Sequence, residues 1–189
     1  MTAPTDRSHL TAAALERGLA AVLDAPRGAG TLDLVVRRPT LDAREVLDEG
    51  VLDVVEGLVG DDWSRRPSRA TVDGSPHPGR QLTLMSSRFV ALVAGDRDRW
   101  PLAGDQLFVD LDLSVDALPV GARLAVGAAV VEITDQEHTG CAKFAARYGR
   151  DAHQLVWSAR GTALRLRGVY ARVVEGGPIR AGDAVSVLV

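Results

Sequence analysis

Residues 122–134, with the sequence ARLAVGAAVVEIT, carry the pattern that decides the fold class. Two runs rich in Val, Leu and Ala, residues 122–126 and 128–134, lie on either side of Gly127. Apolar runs of this length around a single turn glycine are typical of a β-hairpin. We therefore predict two adjacent strands joined by a tight turn.

Further short strands are predicted on both sides of this hairpin. The additional single strands fall at residues 31–38, 81–85 and 107–111. Residues 169–175 and 184–189 flank the turn segment 176–183, so we predict a second hairpin there. Many short strands in a chain of 189 residues favour a β-barrel or a β-sandwich over a parallel α/β sheet.

A helix is predicted near the start of the chain, from Ser8 to Asp24, with Ser8 or Thr11 as its N-cap. Its interior is rich in Ala and Leu, which are good helix formers. We assign residues 1–30 to an N-terminal helical extension that packs on the main body. Residues 31–189 then form the main domain.

Short helices and one long loop interrupt the predicted strands. The short helices fall at residues 86–94, 140–148 and 151–159. Thr139 is the expected N-cap of the second helix, while Asp151 begins the third and Gly161 ends it. Residues 61–79 are polar and rich in Pro and Gly, so we predict a loop. Loops of this length are often lids, binding loops or mobile segments.

The composition limits the partners and sites of the chain. A net charge of −3 argues against general nucleic-acid binding. The single cysteine excludes an intrachain disulfide, and it excludes any zinc or iron–sulfur site that needs several thiolates from this chain. No apolar run is long enough to span a bilayer, and the first residues show no signal segment. We therefore expect a cytoplasmic protein with no membrane or nucleic-acid partner.

Positive charge is concentrated in one stretch of this acidic protein. Residues 138–172 contain seven Lys or Arg residues and one acid, Asp151. A local positive field of this kind would favour an anionic small ligand. The alternative interpretation is a solvated arginine face with no ligand.

Cys141 has two opposed interpretations. If Thr139 caps the helix, Cys141 lies in its first turn, where free backbone N–H groups and the helix dipole stabilise a thiolate. Such a sulfur can bind a soft metal, carry a persulfide or act as a nucleophile. Spacing alone favours a buried core cysteine, because Phe144 and Tyr148 share its helical face.

Other catalytic motifs are missing from the sequence. The four histidines form no HExxH pair, and no G-x-S-x-G elbow or phosphate-binding glycine loop is present. Two Gly-Asp pairs, at residues 60–61 and 104–105, are interpreted as ordinary turns.

Five segments, in order along the chain, resemble motifs of the MOSC domain family, named for the C-terminal part of molybdenum-cofactor sulfurases. They are GLVGD at 57–61, GRQLTL at 79–84, LPVGARLAVG at 118–127, AVVEITDQEHTGCAKF at 129–144 and RGTALRLRGVYARVVEGGPIRAGDAVSV at 160–187. The resemblance spans roughly residues 32–188 and suggests a small standalone bacterial member. It implies a mainly β protein with a MOSC-type barrel, similar to the pyruvate-kinase barrel domain.

The resemblance also implies a site centred on Cys141, which matches the key cysteine of the family. That cysteine is expected to carry sulfur or to bind the molybdenum of a molybdopterin-type cofactor. The arginines Arg80, Arg147, Arg165 and Arg167 and the only lysine, Lys143, are candidates for the pterin phosphate. His138 and Tyr148 are candidate proton donors. The chain departs from the common family pattern at Gly140, where many members have proline, and at the preceding His138–Thr139, where many have an arginine.

Three functions remain open at this point. The first is a molybdenum-dependent oxidoreductase that reduces N-hydroxylated compounds, with electrons supplied by a separate protein. The second is a sulfur (persulfide) carrier or molybdenum-cofactor carrier without turnover, and the third is a non-catalytic small-molecule-binding barrel with Cys141 in its core. Pyridoxal phosphate appears in generic descriptions of the family because fused members carry a sulfurase domain. That domain is absent here, and we do not expect this cofactor to bind.

Overall fold

Seven strands close into a barrel in the computed structural model, which describes residues 9–188. The strands are β1 (Ala29–Arg37), β2 (Glu45–Leu47), β3 (Glu49–Asp53), β4 (Gly57–Leu58), β5 (Leu82–Ser86), β6 (Leu107–Asp110), β7 (Arg123–Val126), β8 (Ala129–Ile133), β9 (Val169–Glu175), β10 (Gly177–Arg180) and β11 (Ala184–Leu188). The helices are α1 (Ala12–Leu23), α2 (Ser87–Ala94), α3 (Ala142–Tyr148), α4 (Arg150–Trp157) and α5 (Ala159–Ala163).

The barrel order is β1-β6-β5-β9-β8-β7-β11, and β11 pairs again with β1 to close the ring. Only the β5–β6 pair is parallel, and the other neighbours are antiparallel. Strand β2 adds to β1 outside the ring, and β10, β3 and β4 form a separate small sheet. The prediction of a mainly β barrel with a few short helices is therefore confirmed.

The hairpin predicted around Gly127 is confirmed as β7 and β8. Val126 pairs with Ala129, so the turn is as tight as the sequence indicates. Gly127 has a φ of 54°, and a Cβ atom there would lie 2.3 Å from Oδ2 of Asp183. A side chain at this position would therefore be excluded both by the backbone conformation and by space.

The prediction of a second hairpin, formed by residues 169–175 and 184–189, is wrong. Strand β9 pairs with β8 and β5, whereas β11 pairs with β7 and β1. The segment between them is not a simple turn, because its residues Gly177–Arg180 form β10 and leave the barrel to pair with β3. Strand β11 is consequently free to close the barrel against β1. Strands β2 to β4, which lie in the acidic part of the sequence, were not predicted.

Alternating side chains divide the apolar residues between two cores. On β1, Leu32 and Val35 point into the barrel, while Leu34 and Val36 point outward toward the helices. The outer core is filled by buried residues of the helices α1 to α4 together with outward residues of the strands. Its largest fully buried side chains are Leu15, Leu19, Met85, Phe89, Phe108, Phe144 and Tyr148. These helices hold one side of the barrel and carry the residues around Cys141.

The helix boundaries follow local capping rules in part. Thr11 caps α1, as predicted, whereas the alternative cap Ser8 lies outside the described residues. Ser86, the first residue of the predicted helix 86–94, is the N-cap of α2. The predicted helix 151–159 is two helices that meet at Ser158, because the Ser158 side chain caps α5. Asp151 does not cap α4; its carboxylate accepts a hydrogen bond from the backbone N–H of Ala12 at 2.8 Å.

The loop at residues 61–79 is confirmed, and it contains only two short 3-10 turns, Trp63–Arg65 and Pro78–Arg80. Within residues 9–188, no helix is both long enough and apolar enough to cross a membrane.

Candidate functional site

A groove rich in arginine runs past Cys141. It consists of two adjoining cavities that share Arg66, Pro67 and Gly104. Its cationic lining residues are Arg38, Arg44, Arg65, Arg66, Arg69, Arg80, Lys143, Arg147 and Arg167, and we call this the basic groove. Among the described lining residues, the only acids are Asp42 and Asp62. A cleft with this imbalance of charge attracts anions.

The cations of the basic groove come from distant parts of the chain. Arg38 follows β1, the long loop at 61–79 supplies three arginines, and Arg167 precedes β9. The predicted positive stretch at 138–172 is therefore not one face. Arg160 pairs with Glu16, and Arg172 pairs with Glu132, both away from the groove.

Arg38 and Asp61 form a buried, bidentate ion pair beneath the groove. Nη2 of Arg38 lies 2.8 Å from Oδ1 of Asp61, and Nε lies 2.9 Å from Oδ2. Nη1 of Arg38 also donates to the carbonyl of Gly104. Burial disfavours the ionised form of Asp61, but the hydrogen bonds and charge of Arg38 outweigh it and hold the pKa of Asp61 below its ordinary value.

Asp105 and Arg167 form a second buried pair. Nη1 of Arg167 donates to Oδ2 of Asp105 at 2.7 Å, and its Nη2 donates to the carbonyl of Ala103. Burial raises the pKa of Asp105, and the charge of Arg167 opposes this rise. The Gly-Asp pairs at 60–61 and 104–105 do lie in turns, with positive φ at both glycines, and each turn also places its aspartate in a buried ion pair.

His138 lies beside the second pair. Its side chain is only 8% exposed, and its ring packs against Tyr170 with centroids 4.6 Å apart. Its Nδ1 atom is buried and has no hydrogen-bond partner among residues 9–188. Burial lowers the pKa of His138 well below its ordinary value, and the charges of Arg167 and Arg38 lower it further. The imidazole is therefore neutral at neutral pH.

Cys141 is exposed, so the interpretation as a core cysteine is wrong. It is itself the N-cap of α3, in place of the predicted Thr139, and its carbonyl accepts hydrogen bonds from Phe144 and Ala145. Because the helix begins one residue after Cys141, Phe144 and Tyr148 are buried while the thiol faces the basic groove. Lys143 and Arg147 line the same part of the groove.

The backbone immediately before Cys141 is fixed by two ring nitrogens. The carbonyl of Gly140 accepts a hydrogen bond from Nε1 of Trp157 at 3.0 Å, and Nε2 of His153 lies 3.2 Å away. A Cβ atom at Gly140 would lie 2.9 Å from Cγ2 of Val156. The glycine that departs from the family pattern thus allows α4 to pack closely behind Cys141.

The charges next to Cys141 are only partly compensated. Nζ of Lys143 lies 2.6 Å from Oδ1 of Asp42, and Nη2 of Arg147 lies 3.7 Å from the same oxygen. The hydrogen bond from Lys143 lowers the pKa of Asp42. Burial lowers the pKa of Arg44, and the charges of Arg147, Arg38 and Arg66 lower it further. Cations therefore repel one another in this part of the groove.

Two predicted site residues lie outside the basic groove. Tyr148 is buried in the outer core, where its hydroxyl donates to the carbonyl of Arg99 at 2.8 Å, and burial raises its pKa. Arg165 lines a different cavity. The structure places Cys141, Lys143, Arg147, Arg80, Arg167 and His138 around the groove. Within residues 9–188, no three His, Cys, Asp or Glu side chains cluster as a metal site would require.

Sequence reasoning missed the arginines before and within the long loop. The missed residues lie in the acidic part of the sequence, where the net charge is negative and does not indicate a basic site. They are Arg38, Arg44, Arg66 and Arg69. A signal that could have found Arg38 is an arginine directly after a buried strand in a chain that also carries a Gly-Asp turn, because Arg38 pairs with Asp61.

Comparisons with known proteins agree with this architecture. The YuaD protein from Bacillus subtilis is 17% identical, with a TM-score of 0.60 over 86% of this chain and 97% of its own. YiiM from Escherichia coli is 16% identical, with a TM-score of 0.53 over 84% of this chain and 70% of its own. No curated protein sequence matches the chain. The family model for the MOSC domain matches residues 71–186, more than half of the chain. The chain therefore belongs to the MOSC domain family.

Proposed function

We propose that the basic groove binds a molybdopterin-type cofactor, with the Cys141 sulfur as the protein ligand to molybdenum. The observation that carries the proposal is the exposed thiol of Cys141 on the wall of a groove with nine cationic and two acidic lining residues. A soft sulfur suits a thiolate-binding metal, and planar guanidinium groups match phosphate oxygens.

The donor set fits a metal that arrives with its own ligands. One cysteine without a neighbouring cluster of His, Asp or Glu among residues 9–188 is too small a set to hold a bare metal ion. It does fit a metal already held by the dithiolene of a pterin. When bound, such a group supplies two-electron redox chemistry. Arg66, Arg69 and Arg80 would hold its phosphate, while Lys143 and Arg147 would add positive potential near the sulfur.

Two arginines of the groove hold its structure rather than contact the ligand. Arg167 and Arg38 are each committed to a buried aspartate, so they fix the floor of the groove. His138, neutral and next to Arg167, would accept or release a proton at its unpaired Nδ1.

The proposed reaction is the reduction of N-hydroxylated compounds, as the family resemblance implies. The chain has no second cysteine and therefore builds no iron–sulfur cluster of its own. We propose that a separate protein supplies the electrons. Lys143 is paired with Asp42, and no other lysine is available for a Schiff base, so pyridoxal phosphate is not part of the proposal.

The test is the molybdenum and pterin content of protein purified from a host that makes the cofactor. We expect stoichiometric metal in the unmodified protein, loss of metal in Cys141→Ser, and loss of pterin in the double variant Arg66→Gln/Arg69→Gln. The control Arg172→Gln removes an arginine outside the groove and should keep both. Metal-free protein with intact Cys141 would overturn the proposal.

The exposed thiol also supports the second candidate, a sulfur carrier. In that case native protein carries an additional sulfur atom on Cys141, visible in its intact mass and absent after treatment with reductant. The substitution Cys141→Ser must abolish this mass increment. An increment that persists in the variant would exclude the carrier function.

A further inference from the structure

A second cavity, of about 340 Å³, lies next to the basic groove and shares only His138 and Arg167 with it. Its lining combines apolar side chains with a few polar ones. The apolar residues are Val115, Val120, Val156, Trp157 and Val169. Its volume is at the lower end of the range for pockets that enclose small organic molecules.

Arg165 is the cation of this cavity that lacks an acidic partner. Its guanidinium is half-buried, and its one hydrogen bond goes to the carbonyl of Leu118. No carboxylate of residues 9–188 pairs with it, and burial lowers the pKa of Arg165 without any opposing charge. The other buried arginines nearby behave differently, since Arg38 pairs with Asp61 and Arg167 with Asp105. A partly desolvated charge without a partner is costly, and an anion in the cavity would relieve this cost.

The backbone at Arg165 is also strained. Its φ of 46° lies in the left-handed region, which only one other non-glycine residue among residues 9–188, Asp42, adopts. This conformation costs on the order of 1 kcal/mol for a side chain with a Cβ atom. Arg165 lies in a tight turn, in which its carbonyl accepts a hydrogen bond from the N–H of Gly168, and its side chain lines the cavity. Strain of this kind often occurs at ligand-binding positions.

The walls of the cavity suit an apolar body rather than a sugar or a polyphosphate. Val115, Val120 and Trp157 are about half exposed in spite of their size. The indole of Trp157 is fixed because its Nε1 donates to the carbonyl of Gly140. An apolar ligand in the cavity would bury its own surface and that of these aromatic and branched side chains, which favours binding.

The rim limits the charge of the ligand. Asp135 and Glu137 are exposed and line the same opening. Their carboxylates would repel a polyanion, although solvent screens them from a single negative charge that lies against Arg165. The cavity therefore differs in selectivity from the basic groove, because two acids balance its two arginines, whereas cations greatly outnumber acids in the groove.

We propose that this second cavity binds an organic monocarboxylate with an aromatic or branched apolar body. The carboxylate pairs with the guanidinium of Arg165, and the body lies against Trp157 and the valines. This site does not depend on the cofactor proposed above, because neither Cys141 nor the arginines of the long loop line it.

The experiment is calorimetric titration of the protein with three probes of similar size, each with a planar head group: phenylacetate, its neutral amide phenylacetamide, and the cation phenylacetamidinium. We expect phenylacetate to bind at least about tenfold more tightly than the amide, since a charge-assisted hydrogen bond is lost. The amidinium probe should bind more weakly still. Arg165→Gln should remove the preference for the acid, whereas Arg160→Gln, whose partner Glu16 lies elsewhere, should retain it.

Cys141→Ser should bind phenylacetate as the unmodified protein does, which separates this result from any failure of metal loading. The selectivity of the unmodified protein among the probes tests the proposal even if Arg165→Gln does not fold. Equal binding of acid and amide, a preference for the amidinium, or no binding of any probe would each overturn it.

Discussion

The Nδ1 atom of His138 lies 3.7 Å from the Oδ1 atom of Asp105, and both atoms are buried without a hydrogen-bond partner among the described residues. Arg167 satisfies only the other oxygen of Asp105. His138 and Arg167 line both the basic groove and the second cavity, and Asp105 holds Arg167 in place without lining either one.

The first prediction concerns the pH dependence of stability. The folded state lowers the pKa of His138, so below about pH 6.5 the unfolded chain binds a proton that the folded chain resists. The free energy of unfolding should therefore fall as the pH drops below this value. The raised pKa of Asp105 has the opposite effect on the free energy of unfolding. The contribution of His138 is therefore measured as the difference between the unmodified protein and His138→Gln. Urea unfolding between pH 5 and pH 7 should show a flatter profile for the variant. The control is His77→Gln. If the pH profile of His138→Gln matches that of this control, the lowered pKa of His138 is contradicted.

The second prediction concerns the buried ion pair. Asp105→Asn keeps the shape of the side chain but leaves the Arg167 charge buried without its partner. The free energy of unfolding should fall by about 3–5 kcal/mol, as for other buried pairs that lose one member. Urea unfolding at pH 7 measures the change. The exposed Asp135→Asn serves as the control and should alter stability by less than about 0.5 kcal/mol.

The third prediction concerns the environment of Cys141. Because the thiol is exposed, a neutral reagent such as iodoacetamide should modify it in the native protein at a rate near that of the urea-unfolded chain. An anionic disulfide reagent should react faster with the native protein, because the basic groove concentrates anions. Added salt should slow the anionic reagent and leave the neutral one unaffected. Arg66→Gln should reduce the salt effect, whereas Arg172→Gln should not. A rate with the neutral reagent far below that of the unfolded chain would show that the thiol is covered.

The fourth prediction compares two glycines with similar backbone angles. Gly168 has a φ of 102° and Gly182 a φ of 97°, so alanine is strained at both positions. A Cβ atom at Gly168 would lie 2.2 Å from the carbonyl oxygen of Leu84, whereas none of the described atoms lies within 4 Å at Gly182. Gly182→Ala should cost about 1 kcal/mol, and Gly168→Ala should cost several times as much because the β5 backbone must move. Equal thermal stability of the two variants would contradict the close packing of this turn against β5.

Local sequence signals predicted the elements that depend on neighbours in the chain. The turn at Gly127 needs only a glycine between two apolar runs, and the caps at Thr11 and Ser86 need only a hydroxyl before a helix. The number of short strands indicated a barrel or a sandwich, and the resemblance to the MOSC family implied the barrel. Pairing between distant strands could not be predicted in this way, and the assignment of β9 and β11 to one hairpin failed for that reason.

Only the part of the site that depends on a single residue, Cys141, was predictable from the sequence. Cys141 was identified, but whether it was buried depended on a one-residue difference in the start of α3, which propensities do not resolve. The basic groove was not predicted, because Arg44, Arg69 and Arg147 are distant in sequence and line the groove together only in the folded chain. Average charge along the sequence indicated a positive surface at 138–172, and tertiary pairing with Glu16 and Glu132 removed part of it.

The pairing of β1 with β11 has a consequence for synthesis on the ribosome. Ala29 pairs with Ser186, so the ring cannot close until almost the whole described chain has emerged from the exit tunnel. Until then, the edges of β1 and β7 that β11 covers are open to other chains, and contacts this distant in sequence form slowly. The nascent protein should therefore depend on protection of these two edges during translation, and the barrel should close only once β11 has emerged.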